Sequence, residues 1–202
     1  MRGKEVLSLF KEKGALLKGH FKLSSGLHTS AYFQSALVLQ YPSIAARLGN
    51  FLAEFFRDSL AQVVISPAIG GIIIGQEVAK ALGARSIFAE REKGNLVLRR
   101  GFKINPEERV LVIEDVITTG NSVRELIKII EENEAKLIGV GCLVDRSGGK
   151  INFIWNPSKS LLSKEVKPQS LVCVNVEIYP PRECPLCQEK VPLIKPGSRG
   201  IK

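Results

Sequence analysis

The sequence predicts an α/β fold in which a doubly wound, mainly parallel sheet is flanked by helices. The first observation is the run of four apolar residues at 110–113, which is typical of a strand buried on both faces. The second is that apolar runs alternate with segments of helical periodicity, which favours parallel strands joined by crossover helices. The third is that polar or glycine-rich loops follow strands at Pro67, Asp115 and Asp145. Because ligands bind at the carboxyl ends of such strands, we expect these loops to meet at one edge.

The N-terminal part of the chain predicts helices and a pair of strands. Apolar and charged residues over 4–13 have helical spacing, and Gly14 ends this helix. Residues 15–34 contain two strand-like runs joined by a turn at 24–26. Pro42 opens a second amphipathic helix, because proline is favoured in the first turn of a helix.

The remaining elements follow from apolar runs, glycine loops and helical periodicity. They are a strand at 61–66, a loop at 67–71, a helix at 73–82, a β-hairpin with strands at 85–89 and 96–103 around a polar turn at 90–95, a helix near Val123, a strand at 136–144 and short strands at 152–155 and 171–176. The tail, residues 179–202, contains five prolines and is expected to follow the surface irregularly. Residues 1–202 are expected to form a single domain.

Composition and charge exclude several classes of function. The net charge is +9, but the basic residues are dispersed and no RNA-binding aromatic motif accompanies them, which argues against nucleic-acid binding. An enzyme with polyanionic substrates also gains from a positive field. No apolar stretch is long enough to span a bilayer, and the first residues do not form a signal peptide. We therefore expect a cytoplasmic protein without a membrane partner.

The cysteines give no strong sign of a metal site. Cys184 and Cys187 form a C-x-x-C pattern beside prolines, but a zinc ribbon needs a second such pair. Cys142 and Cys173 lie in apolar runs and do not supply one. The pattern favours a local turn, with a metal site or a disulfide as the alternatives. The two histidines of the chain have no acidic neighbour in sequence and are not expected to be catalytic.

The residues after the central apolar run indicate the ligand. Glu114 and Asp115 follow the run directly, where the strand is expected to end. The next turn is small and rich in hydroxyl groups: Thr118, Thr119, Gly120, Asn121 and Ser122. Such a loop at the start of a helix presents N–H groups to a phosphate, whereas two acids suit the hydroxyls of a sugar. The ligand that fits both is a ribose 5-phosphate; an ordinary strand with a capped helix is the alternative.

The same stretch resembles a known signature. Residues 110–122 fit throughout the phosphoribosyl diphosphate (PRPP) motif of the type I phosphoribosyltransferases, with four apolar residues, two acids, two apolar residues and a Thr/Gly/Ser loop. Three further segments resemble the orotate phosphoribosyltransferase branch: 21–34 its hood over the base, 89–102 its mobile arm, and 143–149 its base-contacting turn. The likeness extends across nearly the whole chain and implies the type I fold, with residues 1–40 as the hood segment.

This resemblance implies how the substrates are held. The acid pair binds the ribose hydroxyls, and the turn at 118–122 binds the 5-phosphate. The pyrophosphate loop consists of Ala68, Ile69, Gly70 and Gly71. Orotate meets Tyr32, Phe33, Thr118 and Arg146. An alternating strand usually places one of two adjacent aromatic side chains in the core, so Tyr32 and Phe33 also have a structural interpretation.

The resemblance further implies a mobile cationic arm and a metal. Arg91 and Lys93 close over pyrophosphate, in a homodimer whose active sites are shared, and together with the acid pair they are the catalytic candidates. Mg²⁺ is carried in by the diphosphate rather than held in a protein cage. Two departures accompany the likeness: Ser24 and Gly70 stand where some members have lysine, and the arm is short.

The implied reaction joins orotate to PRPP and gives orotidine 5′-monophosphate and pyrophosphate, a step in the synthesis of UMP. Two alternatives stay open at this point. One is a transferase for a purine base, which a panel of bases with PRPP and Mg²⁺ separates. The other is a PRPP-sensing regulator that binds nucleic acid, for which the 202 residues leave little room for a separate binding module.

Overall fold

The structure is a computed structural model that describes residues 3–23, 25–156 and 163–196. Ser24 and residues 197–202 of the tail lie outside these ranges. The elements are, in order, α1 (Gly3–Glu12), β1 (Leu16–Lys22), β2 (His28–Phe33), α2 (Ala36–Leu39), α3 (Pro42–Ala53), β3 (Val63–Pro67), α4 (Gly70–Leu82), β4 (Arg85–Glu92), β5 (Asn95–Leu98), β6 (Arg109–Ile117), α5 (Asn121–Glu132), β7 (Lys136–Asp145), β8 (Phe153–Trp155), β9 (Lys164–Val166), β10 (Gln169–Cys173), β11 (Ile178–Tyr179), α6 (Pro185–Gln188) and β12 (Leu193–Ile194). Turns of 3₁₀ helix cover Glu54–Ser59 and Pro181–Glu183.

A six-stranded sheet with the order β10-β7-β6-β3-β4-β5 forms the centre of the molecule. Its strands are parallel except for β5, which pairs antiparallel with β4. The predicted fold class, a doubly wound and mainly parallel sheet with flanking helices, is confirmed. None of the helices in the described ranges is long and apolar enough to cross a membrane.

Two hydrophobic cores lie on the two faces of this sheet, because successive residues of a strand point to opposite sides. On one face, Leu111 shares a core with Leu48 of α3 and Ile74 of α4. On the other face, Val112 shares a core with Leu126 of α5. Both faces are thus covered by helices, as a parallel sheet requires.

The central strand extends further than the sequence predicts. The apolar run suggests a strand over 110–113, whereas β6 continues to Ile117. The extra residues pair with β7, and Ile117 lies opposite Asp145. Glu114 and Asp115 therefore lie inside the strand and not beyond its end. Pairing with a neighbouring strand, which a single run of residues does not reveal, sets this boundary.

The hairpin arm is present, but its turn is tighter than the predicted one. Glu92 still pairs with Asn95, so the turn consists of Lys93 and Gly94 alone. Both have a positive φ, 49° and 96°, as two-residue hairpin turns require. The arm is accordingly short.

The hood is a four-stranded sheet that includes part of the tail. The antiparallel pair β1 and β2 agrees with the sequence, and β11 and β12 extend it to the order β11-β2-β1-β12. The tail, which is predicted to follow the surface irregularly, thus pairs with the hood at Tyr179 and at Leu193–Ile194. Tyr179 pairs with His28, and Leu193 pairs with His20. The prolines of the tail do not prevent this pairing, because neither β11 nor β12 contains a proline.

Candidate active site

The loops after β3, β6 and β7 meet at one edge of the sheet, as predicted. The backbone N–H of Arg146 donates to the carbonyl oxygen of Ile117 at 2.9 Å, which joins the turn after β7 to the end of β6. Gly70 lies so close to Asp115 that a Cβ atom added to it would be 2.6 Å from Oδ2 of Asp115. One site thus combines the ends of three strands.

A cavity of about 350 Å³ lies beside the turn between β6 and α5. Its lining includes the whole turn at 118–122 together with Arg91, Glu114 and Glu125. Gly120 has a φ of 77° and directs the chain into α5, and an added Cβ would lie 2.9 Å from the ring of Phe153. The free N–H groups and positive dipole end of α5 make this side of the cavity suitable for a phosphate.

The two acids of β6 have different surroundings. Glu114 is buried and faces the cavity, and its Oε1 accepts the backbone N–H of Asp115 at 3.0 Å. Burial raises the pKa of Glu114 well above its usual value, and the charge of Asp115 adds to this while Arg91 opposes it. Within the described residues, neither acid forms an ion pair with a basic side chain. Both are therefore available to hydroxyl groups.

Ser35 is a site residue that the sequence analysis misses. It lies directly before α2, is buried, and donates its hydroxyl group to Oδ2 of Asp115. Asp115 is therefore held between Ser35 on the hood side and Gly70 at the start of α4. This contact fixes the carboxylate between the predicted base site and the predicted pyrophosphate loop.

The predicted pyrophosphate loop includes the first turn of α4. This helix begins at Gly70 and not near residue 73, so Gly70 and Gly71 present N–H groups of a helix N-terminus. The peptide bond between Ala68 and Ile69 is cis, and Ile69 is 73% exposed. A Cβ atom at Gly70 would overlap the carboxylate of Asp115, so a lysine at this position would require that carboxylate to move. Ser24, the other position at which some family members have lysine, lies outside the described residues.

Arg146 is a buried cation with no anionic partner in the described part of the chain. It is 2% exposed, and its Nη2 donates to Oγ1 of Thr29 and to the carbonyl oxygen of Ala31, both at 2.8 Å. Its Nε has no hydrogen-bond partner there. Burial lowers the pKa of Arg146 to about 10, so the guanidinium is still charged at neutral pH. A buried charge is costly unless an anion completes the site, and a guanidinium suits a carboxylate.

Of the two aromatic residues of β2, one belongs to the core and the other lies beside the candidate site. Phe33 is buried and packs edge-to-face on Phe10 with ring centroids 5.7 Å apart. Tyr32 is half-buried, and its pKa is raised by burial and by the charge of Asp115, whereas Arg146 opposes this rise. Tyr32 therefore lies near both groups. The Arg146 guanidinium is 5.9 Å from the centroid of Phe33.

The cations of the arm are not equivalent. Arg91 donates from Nη1 and Nη2 to the carboxylate of Glu125, at 3.1 and 2.9 Å, and lines the cavity of its own chain. Lys93 is exposed in the hairpin turn and does not belong to the lining. The structure thus places Arg91 in the same cavity lining as Glu114, whereas Lys93 lies outside that lining.

Comparison with known proteins gives the family. The model of the phosphoribosyl transferase domain matches residues 37–153. The chain belongs to the phosphoribosyltransferase family. The orotate phosphoribosyltransferases of Caldicellulosiruptor saccharolyticus and Desulforamulus reducens are 49% and 47% identical to it over 202 and 201 residues, and each alignment covers 100% of both chains. The crystal structure of orotate phosphoribosyltransferase from Aeropyrum pernix has a TM-score of 0.64 and 25% identity, and covers 83% of this chain and 93% of that chain. The resemblance found in the motifs is confirmed.

Proposed function

We propose that this phosphoribosyltransferase is an orotate phosphoribosyltransferase of pyrimidine biosynthesis. It transfers the 5-phosphoribosyl group of PRPP to orotate, with orotidine 5′-monophosphate and pyrophosphate as products. The observation that carries the choice of base is the buried Arg146, whose Nε has no partner within the described residues. Orotate differs from uracil and from purines by a carboxylate, and a desolvated guanidinium favours the base that carries one.

The residues of this chain act mainly by positioning the two reactants. The turn at 118–122 and the start of α5 hold the 5-phosphate, while Glu114 and Asp115 accept hydrogen bonds from the ribose hydroxyls. Gly70 and Gly71 receive the diphosphate at the start of α4. Substitution at the anomeric carbon passes through an oxocarbenium-like transition state, so fixed carboxylates beside the sugar also stabilise developing positive charge.

We propose that Mg²⁺ enters with the diphosphate. Glu114 and Asp115 fit this ion, because they are carboxylates without a basic ion-pair partner in the described ranges and lie between the two predicted phosphate subsites. Magnesium retains water and phosphate oxygens as ligands, so these acids would hold it largely through water. When bound, the ion neutralises charge on the departing pyrophosphate.

We also propose a cytoplasmic homodimer with shared active sites. Large apolar side chains at the start of α4 are exposed, with Ile69 at 73% and Ile73 at 43%. The exposed Lys93 is free to reach a second copy. A cytoplasmic location suits an enzyme whose two substrates are charged metabolites that do not cross membranes unaided; cell fractionation tests it.

Replacing Arg146 tests the proposed base. Arg146→Ala should raise the KM for orotate strongly, by a factor that corresponds to a loss of about 2–4 kcal/mol in binding free energy. It should leave the KM for PRPP nearly unchanged. Arg146→Lys should recover only part of the loss, because an ammonium group cannot form two parallel hydrogen bonds to a carboxylate. Steady-state kinetics with each substrate varied separate these effects.

Arg146 also ties β7 to β2, so the experiment needs a structural control. Arg109→Ala removes an arginine that donates to the carbonyl oxygen of Leu60, at the opposite end of β6 from the site, and should change neither KM. Thermal unfolding of each variant detects a loosened hood. Normal orotate kinetics in Arg146→Ala, or a wild-type preference for hypoxanthine or adenine, would leave only the PRPP-binding proposal. Failure to transfer to any base would favour a PRPP-sensing regulator.

A further inference from the structure

Four metal-ligating side chains converge where the hood meets the tail. His20 lies on β1, His28 on β2, and Cys184 and Cys187 lie at the start of α6 and within it. One ligand atom of each lies within 4.8 Å of the others. His20, His28 and Cys184 are buried, while Cys187 is exposed. The phosphoribosyl transfer proposed above uses none of the four.

The spacing of the ligand atoms matches a tetrahedron around one metal ion. Nε2 of His20 lies 3.0 Å from Nδ1 of His28 and 3.4 and 3.7 Å from Sγ of Cys184 and Cys187. Sγ of Cys187 lies 3.3 Å from Nδ1 of His28. Zinc bonds of about 2.0–2.1 Å to nitrogen and 2.3 Å to sulfur at tetrahedral angles place two nitrogen ligands roughly 3.4 Å apart and a nitrogen and a sulfur ligand roughly 3.6 Å apart. The four separations given above differ from these values by a few tenths of an ångström, and the other two are within 4.8 Å.

The orientation of His20 also favours a metal. Its Nδ1 lies 2.8 Å from the carbonyl oxygen of Val191, which accepts a hydrogen bond from this nitrogen. The proton is thereby fixed on Nδ1, and the lone pair of Nε2 points at His28 and the two thiols. Histidine ligands of zinc commonly make such a second hydrogen bond to a backbone carbonyl.

Neither the local turn that the sequence favours nor a disulfide explains all four side chains. A local turn at the C-x-x-C pattern gives no reason for two buried imidazoles to face the thiols. A disulfide between Cys184 and Cys187 likewise leaves His20 and His28 without a role. A bound cation satisfies the converging lone pairs at once, and two thiolates balance its charge.

We propose that His20, His28, Cys184 and Cys187 bind one structural Zn²⁺ ion. Two nitrogen and two sulfur ligands in a tetrahedron favour zinc, and four protein ligands leave no open position for catalysis. The ion joins the tail to β1 and β2, which carry His20 and His28. The strands β11 and β12, which pair with β2 and β1, have only two residues each, so the ion adds a strong link to a short pairing. It thereby stabilises β2, the strand that carries Thr29 and Tyr32 beside Arg146.

Metal analysis of the purified full-length protein tests the site. Wild type should contain about one zinc per chain, and cobalt-substituted protein should show tetrahedral d–d absorption with thiolate-to-cobalt charge-transfer bands. Cys187→Ser is the best variant because this cysteine is the exposed ligand, so its loss opens no cavity in a core. It should lower zinc affinity by about 100-fold or more. Loss of a residue that only hydrogen-bonds to a metal ligand typically costs about 10- to 100-fold, and loss of the ligand itself should cost more.

Two further variants make the result specific. Cys173→Ser removes another exposed cysteine, which is not in the cluster, and should keep the full zinc content. Cys187→His should retain metal and lose part of the thiolate charge-transfer intensity. Removal of zinc by a chelator should make the tail susceptible to limited proteolysis between residues 179 and 196, and added Zn²⁺ should restore protection.

The proposal is overturned if the reduced wild-type protein binds neither Zn²⁺ nor Co²⁺, or if Cys187→Ser and Cys173→Ser hold equal zinc. It is also overturned if Cys184 and Cys187 form a disulfide and the reduced protein takes up no metal. These readouts do not involve catalysis, so they stay informative if the proposed base is wrong.

Discussion

At the scale of single residues, the burial that places Glu114 at the proposed ribose site also has a cost in stability. Its pKa in the folded state is raised, mainly by burial and then by Asp115. The folded protein therefore keeps this proton to a higher pH than the unfolded chain, whose glutamate pKa is about 4.3. Stability contributed by this group falls as the pH rises from the unfolded pKa to the folded one, and stays lower above it.

Glu114→Gln should consequently unfold at a higher temperature than wild type at neutral pH, and its stability should depend less on pH. Turnover or PRPP affinity should fall tenfold or more, about 1.4 kcal/mol, if the carboxylate binds the ribose. Thermal unfolding across a pH series and steady-state kinetics measure the two effects. Glu132→Gln, at an exposed position of α5, is the control and should change neither. A variant that is less stable at neutral pH yet fully active would contradict both assignments.

Single residues also show where sequence reasoning stops. Glu114, Asp115 and the turn at 118–122 could be found because they are contiguous and fit one ligand. Ser35 could not be found, because no neighbouring residue in the sequence marks it. Its interest comes from its hydrogen bond to Asp115, which is 80 positions away. The His–Cys cluster is a similar case: its C-x-x-C half is visible in the sequence, but its histidines are separated from it by more than 150 residues.

At the scale of elements, the arm is attached to α5 by Glu125. This carboxylate accepts hydrogen bonds from both Nη groups of Arg91. It also accepts a hydrogen bond from the backbone N–H of Leu96, at 2.8 Å. Glu125 therefore determines where Arg91 stands beside the cavity. The pair is about a third exposed, so its contribution to stability is small, within about 1 kcal/mol.

Glu125→Ala should therefore lower turnover several-fold through loss of Arg91 positioning, with little change in unfolding temperature. The matched control is Glu90→Ala, which breaks the exposed pair between Glu90 and Arg100 on the same hairpin away from the cavity lining. Kinetics and thermal unfolding of both variants provide the comparison. Equal kinetics for the two would show that the anchor at Glu125 has no role in catalysis.

The elements that the sequence predicts well are those with their own periodicity. The strands of the central sheet and the helices α1, α3 and α5 are long enough to carry a pattern of apolar residues. The limits of β6 and the two strands of the tail depend instead on pairing with β7, β1 and β2. A strand of two residues has no period, so the sequence does not reveal it, and the prolines around it favour an irregular course instead.

At the scale of the whole molecule, the open question is which chain supplies each cation of the arm. Arg91 lines the cavity of its own chain, whereas Lys93 is exposed at the hairpin turn and outside that lining. In the proposed homodimer, we therefore expect Arg91 to act within its own subunit and Lys93 to act in the neighbouring one. Dimers that combine two different inactive chains distinguish these cases.

Lys93→Ala mixed with Asp115→Asn should regain about a quarter of wild-type activity, because random pairing makes half of the dimers mixed and each mixed dimer has one intact site. Arg91→Ala mixed with Asp115→Asn should regain none, since each chain then carries a defect in its own site. The two variants of each pair are unfolded together and refolded, with each single variant treated alone as the control. Light scattering before the assay establishes that dimers are present. Recovery with Arg91→Ala, or a fully active wild-type monomer, would contradict the proposed division between the subunits.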